Sequence, residues 1–216
     1  MGNHKKQFVW LNPVVESIVG SDYYKLLKHI EDQGYTVVTC SNQADRIRNA
    51  YKAYIQGTKH KPVIDARCPA IIQYIKEKYP EALDKIAPID PILIACAHEL
   101  YEKHIKKDSK TATLTIVTPC TQLVDFGEAV FCEGMEFLTW KQFKKNIDYK
   151  MIDEKLSASP IPLGFFDSLA MKVEKASGEE EIEHVIKNII SNDICREIEL
   201  CELLLCQDGC HNGDGL

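Results

Sequence analysis

The sequence lacks the features that mark membrane and secreted proteins. No apolar run approaches the roughly 20 residues that a membrane-spanning helix requires. The first residues, Met1 to Lys6, are polar and do not resemble a signal peptide. We therefore expect a cytoplasmic protein with no membrane association.

Basic residues are neither abundant nor concentrated. The 216 residues include 26 Lys and Arg against 32 Asp and Glu, which gives a net charge of −6. Nucleic-acid-binding proteins usually carry a concentrated Lys/Arg face, so we expect no nucleic-acid partner. Hydrophobic residues make up 45% and charged residues 27% of the chain, which is typical of a folded globular protein.

Nine cysteines are the most informative part of the composition. A reducing compartment keeps cysteines as thiols, and an odd number does not suit a disulfide framework. A chain of this length also builds a core without covalent cross-links. Two hypotheses remain open from the count alone. Several cysteines bind a metal, or all nine are small buried hydrophobic residues.

Strand and helix signals alternate along the first part of the chain. β-Branched and apolar runs predict strands, whereas capping residues and helical periodicity predict helices. The predicted strands are 8–11, 35–40, 62–65 and 113–117; the predicted helices are 21–33, 43–56, 70–79, 91–106, 139–146, stretches of 165–176, and 179–191. This alternation predicts an α/β fold with a mainly parallel sheet flanked by helices.

The length suits one domain, 1–216, or two small lobes that share a core. The best candidate for a loop that joins the lobes is the segment 148–162, which contains Pro160 and Pro162. No internal repeat is present to indicate a different organisation.

Four cysteines share a setting that the other five lack. Cys68 follows a predicted strand and precedes a proline at a helix start, and Cys120 ends the strongest predicted strand. Cys206 and Cys210 bracket a turn that leads into a glycine-rich segment. Carboxyl ends of strands, helix N-termini and glycine-rich turns are places where proteins bind anionic ligands. These four residues are therefore the candidate metal ligands.

The spacing favours an iron–sulfur cluster over zinc. A structural zinc site usually draws its ligands from two close doublets. Here one doublet exists, Cys206 and Cys210, and the other two cysteines are isolated and distant in sequence. Four cysteines is also the ligand number of a [4Fe–4S] cluster.

Three segments resemble, in order, the cysteine motifs of the iron-only ([FeFe]) hydrogenase catalytic domain. The first is Arg67-Cys68-Pro69 with its following helix, and the second is Thr118-Pro119-Cys120-Thr121. The third runs from Glu202 through Cys206 and Cys210 to Gly215. The resemblance implies a two-lobed α/β domain with a [4Fe–4S] cluster between the lobes, ligated by Cys68, Cys120, Cys206 and Cys210. In active hydrogenases a diiron subcluster hangs from the cysteine at the position of Cys210.

The departures from these motifs fall on the residues that serve the diiron subcluster. The family's proton-relaying cysteine is replaced by Arg67, and arginine stays protonated at any working pH. The lysine that anchors the diiron unit is replaced by Leu123. The glutamate that usually follows that lysine has no clear counterpart, and Asp125 and Glu128 are only candidates for its place. We therefore expect no diiron subcluster and no hydrogen turnover.

Two charged residues within the motifs, Asp214 and Arg67, affect the space around the proposed cluster. Asp214 replaces a glycine of the third motif, where its side chain would crowd the space or repel an anionic ligand. Arg67 could line a pocket beside Cys210 and bind an anion. The alternative for Arg67 is a surface arginine, or one that screens the charge of the cluster.

The remaining cysteines are interpreted as structural. Cys96 lies on an apolar helical face, and Cys195 and Cys201 precede the third motif as packing residues. Cys40 and Cys132 are the two weaker candidates for an approach to the cluster. His211 could donate a hydrogen bond to a cluster sulfur or simply face solvent.

These observations leave three functions open. The first is electron transfer or redox and small-molecule sensing by a single cluster. The others are a reductase that uses a pocket beside the cluster, and a divergent active hydrogenase. Because ferredoxin-type cysteine runs are absent from the sequence, the cluster needs an external electron donor or acceptor, such as a ferredoxin or a separate domain.

Overall fold

The computed structural model describes residues 5–131, 133–150, 156–194 and 197–216. The chain divides into two compact units that alternate along the sequence. Unit 1 comprises 1–41, 93–160 and 213–216, and unit 2 comprises 42–92 and 161–212. One of the crossings between them, after Pro160, falls within the predicted linking segment. The prediction of a single domain with its lobes joined there stays a prediction.

Unit 1 contains a four-stranded parallel sheet. Its strands are β1 (Lys6–Leu11), β2 (Tyr35–Val37), β4 (Ala112–Thr118) and β5 (Met135–Thr139), and they lie in the order β2-β1-β4-β5. The helices of this unit are α1 (Pro13–Val19), α2 (Tyr23–Asp32), α5 (Ile92–His104), α6 (Thr121–Val130) and α7 (Trp140–Asn146). The central strand β4 is almost wholly buried, as the strands of a parallel sheet covered on both faces are.

Local signals explain where the helices of unit 1 begin. The side chain of Asn12 accepts a hydrogen bond from the backbone N–H of Val14 and so caps α1. Thr139 and Gln142 form a reciprocal capping box at the start of α7. Helix α6 packs closely over β5 at Gly127. A Cβ at this position would lie only 2.3 Å from the Phe137 ring, so a larger residue does not fit.

Unit 2 contains a three-stranded parallel sheet. Its strands are β3 (Val63–Ile64), β6 (Val173–Ser177) and β7 (Leu200–Leu204), and its helices are α3 (Ala44–Gly57), α4 (Pro69–Lys78) and α8 (Glu179–Ser191). The strands lie in the order β3-β7-β6, so β7 is at the centre and pairs with both of the others. Helices α4 and α8 and the sheet share an apolar core that includes Ile64, Ile71, Ile75, Ile182, Ile186 and Leu203.

The α/β class with mainly parallel sheets flanked by helices is confirmed, as are the four predicted strands: β1 and β4 are longer than predicted, and β2 and β3 are shorter. The predicted helix within 165–176 is wrong, because its last residues form strand β6. Helices α1 and α6 and strands β5 and β7 have no counterpart among the predicted elements. In the described residues, no helix is long and apolar enough to cross a membrane.

Candidate metal centre

The carboxyl ends of β3 and β7 bring two of the candidate ligands to one edge of the sheet in unit 2. The strands pair in parallel, with Ile64 opposite Cys201, and the Asp65 backbone N–H donates to the Cys201 carbonyl. Cys68 follows β3 and Cys206 follows β7, each after a few residues, and both are half-buried. The edge at which parallel strands end is where α/β proteins bind ligands.

Cys68 occupies the N-cap position of α4, with Pro69 as the first helical residue. Burial raises the pKa of the Cys68 thiol, while the backbone N–H groups of Leu205, Ile71 and Ala70 act on the sulfur in the opposite sense. These N–H dipoles stabilise negative charge on the sulfur, but burial prevails and the pKa of the free thiol is raised. The influence of Leu205 also shows that the end of β7 lies beside Cys68.

A tight turn joins Cys206 to Cys210. Asp208 and Gly209 both have positive φ, at 59° and 115°, and the Gly209 backbone N–H donates to the Cys206 carbonyl at 3.2 Å. Asp208 tolerates the left-handed region better than most residues with a side chain. Its backbone N–H donates to Ser177 Oγ at 3.1 Å, which fixes the turn against the end of β6.

His211 follows Cys210 and carries a buried nitrogen that lacks a partner. Asn212 Nδ2 lies 3.3 Å from His211 Nε2 and 2.8 Å from the Gln207 carbonyl oxygen. Because an amide NH₂ only donates, Nε2 of the neutral ring must accept, which places the ring proton on Nδ1. Nδ1 is buried and has no hydrogen-bond partner in the described part of the chain. A buried donor of this kind costs about 1–3 kcal/mol unless an acceptor is supplied.

Cys120 belongs to unit 1, where it caps the N-terminus of α6 immediately after β4. Asp214 is bound at the same helix terminus. Its carboxylate accepts from the Thr121 backbone N–H at 3.0 Å and from Thr121 Oγ1 at 2.5 Å. Lys141 Nζ donates to the Asp214 carbonyl oxygen at 2.8 Å. Asp214 therefore places a carboxylate beside Cys120, where the N–H groups at the start of α6 stabilise its charge.

Arg67 is buried within unit 2 and is bound to two carboxylates. Its Nε lies 2.7 Å from Asp65 Oδ2 and its Nη2 lies 2.7 Å from Glu202 Oε1. The carbon of the guanidinium lies 4.1 Å and 4.6 Å from the ring centroids of Phe165 and Phe166. Burial alone would disfavour the charge, but Asp65 and then Glu202 raise the pKa of Arg67. The guanidinium is thus permanently charged.

The carboxylates of Asp65 and Glu202 also accept hydrogen bonds from donors other than the Arg67 side chain. Asp65 Oδ1 accepts from Tyr51 OH at 2.8 Å and from the Arg67 backbone N–H at 3.0 Å. Glu202 accepts from the backbone N–H groups of Gly164 and Phe165, at 2.9 and 3.0 Å. The alternative of a surface arginine does not hold, since the Arg67 side chain is 5% exposed. The predicted binding of an anion by Arg67 stays a prediction.

Leu123, which the motif resemblance aligns with the lysine that anchors the diiron unit, lies in the interior. It is buried on α6 together with Gly127, whereas Asp125 and Glu128 lie on the exposed face of the same helix. The two acidic residues therefore project away from Leu123, and a hydrophobic side chain fills the interior position.

The other cysteines are distributed as follows. Cys201 is buried in β7 and packs in the core of unit 2, as predicted. Cys96 is buried on α5, also as predicted, but its sulfur lies 2.7 Å from that of Cys40. No pattern in the sequence indicates this pair. Cys132 and Cys195 lie outside the described residues.

The described residues contain no preassembled metal site. Among residues 5–131, 133–150, 156–194 and 197–216, no group of three or more His, Cys, Asp or Glu side chains could hold a metal ion. A mononuclear site requires ligands that converge on one ion. In a [4Fe–4S] cluster, by contrast, each cysteine binds its own iron. The assignment of Cys68, Cys120, Cys206 and Cys210 as ligands stays a prediction.

Sequence and structure comparisons place this fold among hydrogenases. A family model of the iron-only hydrogenase large subunit, C-terminal domain, matches residues 25–123. No curated protein sequence matches. Solved structures match over nearly the whole chain. An apo variant of [FeFe]-hydrogenase HydA1 from Chlamydomonas reinhardtii is 12% identical with a TM-score of 0.65, covering 99% of this chain and 80% of that chain.

Two further structures give the same picture. Another variant of the Chlamydomonas reinhardtii enzyme is 15% identical with a TM-score of 0.68, covering 99% of this chain and 80% of that chain. An [FeFe]-hydrogenase structure concerned with oxygen inactivation through degradation of the H-cluster 2Fe subcluster is 11% identical with a TM-score of 0.66, covering 100% and 81%. The chain thus has the fold of these [FeFe]-hydrogenases, at low sequence identity.

Proposed function

We propose that this chain binds one [4Fe–4S] cluster through Cys68, Cys120, Cys206 and Cys210. It acts in electron transfer or in redox or small-molecule sensing, without hydrogen turnover. The hydrogenase-like fold supports an iron–sulfur cofactor, because the structures that it matches are [FeFe]-hydrogenases and one of them concerns an H cluster. When bound, such a cluster accepts and releases electrons at a potential set by its surroundings.

The observation that carries this proposal is the buried Nδ1–H of His211. His211 follows Cys210 directly in the sequence, and no described residue accepts a hydrogen bond from its Nδ1–H. Sulfur atoms of an iron–sulfur cluster accept hydrogen bonds and carry negative charge. A cluster at Cys210 would thus satisfy a donor that is otherwise left unpaired at a cost.

Cys68 supports the same cofactor from the edge of the sheet in unit 2. Its sulfur faces backbone N–H groups that stabilise negative charge, while burial destabilises the free thiolate. Ligation to iron resolves this conflict, because a metal-bound sulfur shares its charge with the cation. Cys206, which follows the adjacent strand, and Cys120, at the helix start in unit 1, supply the remaining thiolates.

The absence of hydrogen turnover is proposed from the state of Arg67. A proton relay must take up and release a proton, and the Arg67 guanidinium is held in its charged form by Asp65 and Glu202. The same ion pairs engage Nε and Nη2 of Arg67, two of the three nitrogens with which it would bind a substrate carboxylate, which weighs against a reductase that uses this residue. At position 123, a leucine cannot supply the charged hydrogen bond of a lysine.

The partners proposed for the cluster are an external electron donor or acceptor, such as a ferredoxin or a separate domain. A cytoplasmic location, without nucleic-acid or membrane binding, remains part of the proposal. A single cluster has no internal relay, so its electrons must reach it from a protein that docks within tunnelling distance.

Anaerobic reconstitution tests the proposal. The full chain is incubated with iron and sulfide, desalted, and examined by iron and sulfide counting, visible absorption and electron paramagnetic resonance. We expect about four irons and four sulfides per chain. Cys68→Ser and Cys206→Ser should abolish or severely destabilise the cluster, because serine is a poor ligand for cluster iron.

Cys201→Ser is the matched control, since Cys201 lies in the same unit but is buried inside the sheet. It should retain the full iron content. Tight zinc binding without cluster absorption, or equal iron content in all three variants, would contradict the proposal.

A further inference from the structure

Unit 1 contains a pair of cysteines that are not among the proposed cluster ligands. Cys40 follows strand β2, and Cys96 lies in the first turns of α5. Their sulfur atoms are 2.7 Å apart, although 56 residues separate them in sequence. This separation is shorter than a normal contact between two non-bonded sulfurs and longer than the ~2.05 Å of a disulfide bond. A small movement of either side chain would bring the sulfurs to bonding distance.

We propose that Cys40 and Cys96 form a reversible intramolecular disulfide by exchange with a small-molecule disulfide such as oxidised glutathione. The structure assigns this pair as a redox-modification site. The inference is independent of the cluster, since neither cysteine is among the four proposed ligands. Transient, redox-sensing disulfides are the kind that occur in reducing compartments.

The two cysteines differ in accessibility, which fixes their roles. Cys40 is half-buried, and its neighbours Thr39 and Ser41 are exposed. Cys96 is 4% exposed. A small-molecule disulfide can therefore reach Cys40 first, and Cys96 can attack only a sulfur that is already beside it. Cys40 is the attacking thiol and Cys96 is the resolving thiol.

The local environment favours this division. The hydrogen bond between the two thiols lowers the pKa of Cys40, against the effects of burial and of Glu99, and Lys103 also lowers it. The pKa of Cys96 is raised by the same interaction and by burial. The thiolate is the attacking species in disulfide exchange, so Cys40 is the more reactive member of the pair.

A neighbouring contact holds the two cysteines in register. The Ser41 backbone N–H donates to Glu99 Oε1 at 2.9 Å, and the Ser41 hydroxyl donates to the other carboxylate oxygen. Glu99 lies three residues after Cys96, and side chains with that spacing share one face of a helix. The residue after Cys40 is thus fastened to the same face of α5 that presents Cys96.

The exchange is balanced in two steps. The Cys40 thiolate attacks one sulfur of the small-molecule disulfide, which releases one small thiolate and leaves a mixed disulfide on Cys40. The Cys96 sulfur, after loss of its proton to solvent, attacks the Cys40 sulfur and expels the second small thiolate. The protein thiols lose two electrons and two protons in total, and the small-molecule disulfide gains both as two thiols.

The position of the pair gives the disulfide a structural consequence. The chain leaves unit 1 after Ser41 and returns to it at Leu93. Cys40 and Cys96 therefore flank the points at which the first segment of unit 2 begins and ends. A bond between them closes that segment into a covalent loop, which removes conformational freedom from the unfolded chain.

The test uses the full, reconstituted chain under anaerobic conditions. Samples are equilibrated with graded ratios of reduced to oxidised glutathione, quenched with an alkylating agent, digested and examined by mass spectrometry. We expect a peptide joined through Cys40 and Cys96 that increases with the oxidised fraction and disappears when reductant is returned. Two alkyl labels per chain should be lost as it forms.

Matched variants separate this site from the cluster. Cys40→Ser should abolish the cross-linked peptide, whereas Cys201→Ser, which changes a core position in the sheet of unit 2, should leave it unchanged. Neither variant should alter the iron content. Iron counting on the same samples therefore distinguishes loss of the cluster from loss of the disulfide. Complete alkylation of both cysteines at every ratio would overturn the inference. A stable mixed disulfide on Cys40, or disulfide-linked dimers in place of the internal bond, would also overturn it.

Discussion

Two buried polar groups in unit 2 lie in opposite situations. The guanidinium of Arg67 is enclosed by Asp65 and Glu202, and those carboxylates accept further hydrogen bonds from surrounding donors. Nδ1 of His211 is also buried, but no described residue accepts its proton. A network whose members are all partnered is complete within the protein. A buried donor without an acceptor among the described residues calls for an acceptor that those residues do not supply.

The difference between the two positions parallels the proposed division of function. By the motif resemblance, Arg67 stands where hydrogenases have the cysteine that serves the diiron subcluster, and its charge is paired with Asp65 and Glu202. His211 follows a proposed ligand of the [4Fe–4S] cluster, and its donor is left open. The contrast is in line with the proposal of one [4Fe–4S] cluster without hydrogen turnover.

The largest effect on stability is expected when the protein lacks the [4Fe–4S] cluster, which is the proposed hydrogen-bond acceptor of His211. Iron-free protein should melt about 8–16 °C below the reconstituted protein, because a ligand present at a thousandfold excess over its dissociation constant contributes about 4 kcal/mol. Thermal unfolding followed by circular dichroism under anaerobic conditions measures the difference. Identical melting temperatures would show that unit 2 is complete without a cofactor and would remove the contrast with Arg67.

Arg67→Met should destabilise the fold more than any change at Glu202 or His211. It leaves Asp65 and Glu202 buried without a counter-charge, and breaking a buried ion pair in this way costs about 3–5 kcal/mol. Urea unfolding of the iron-free protein gives the free energy without interference from the cluster.

The matched control is Arg48→Met. Arg48 also stacks on the Phe165 ring, but its ion-pair partner Asp45 is largely exposed, and exposed pairs contribute about 0–1 kcal/mol. Equal losses in the two variants would mean that stacking on Phe165, rather than charge, holds Arg67 in place.

Glu202→Gln tests whether the Arg67 network depends on acceptors as well as charge. An amide nitrogen cannot accept, so at least one of the donors from Arg67, Gly164 and Phe165 loses its partner. We expect a loss of about 1–3 kcal/mol in unfolding free energy. Glu180→Gln, on the exposed first turn of α8, should change stability by no more than about 0.5 kcal/mol. A neutral result at Glu202 would contradict the description of a fully used carboxylate.

His211→Phe should have the smallest effect on stability and a distinct effect on the cluster. Loss of a neutral hydrogen bond worth about 0.5–1.5 kcal/mol, if made to the reduced cluster, lowers its potential by about 20–65 mV. Redox titration monitored by electron paramagnetic resonance measures the shift. His184→Phe, on the surface of α8, should leave the potential unchanged. An unchanged potential in His211→Phe would show that the Nδ1 proton does not meet the cluster.

Local sequence patterns predicted much of the fold. The strands β1 and β4 and the helices α3, α4, α5 and α8 follow from apolar periodicity, capping residues and terminal glycine or proline. The wrong helix within 165–176 has a physical cause. Its last residues, Val173–Ser177, include Lys, Glu and Ala, which favour helices in isolation, and they form a strand because β7 pairs with them.

Strand β7 escaped prediction for a related reason. Leu200–Leu204 contains leucine and a glutamate rather than the β-branched residues that indicate a strand. It is a strand because β3 and β6 bind it on both sides. Pairing of this kind depends on residues more than 20 positions away, so a local window does not contain it.

The sequence by itself determined the order of the cysteine motifs, their places at strand ends and helix starts, and the replacements at Arg67 and Leu123. These features are local, because a motif and its flanking helix or strand signals occupy a few consecutive residues. The α/β class followed from the same local alternation.

Tertiary structure alone decided how those residues are partnered. Glu202 meets Arg67 across 135 positions of sequence, and Cys40 meets Cys96 across 56. Neither pairing leaves a periodic or capping signal, since each arises where separate strands and helices pack together. A buried charge must find a partner and a buried thiol takes whichever neighbour packing provides, and only the folded chain specifies which residue that is.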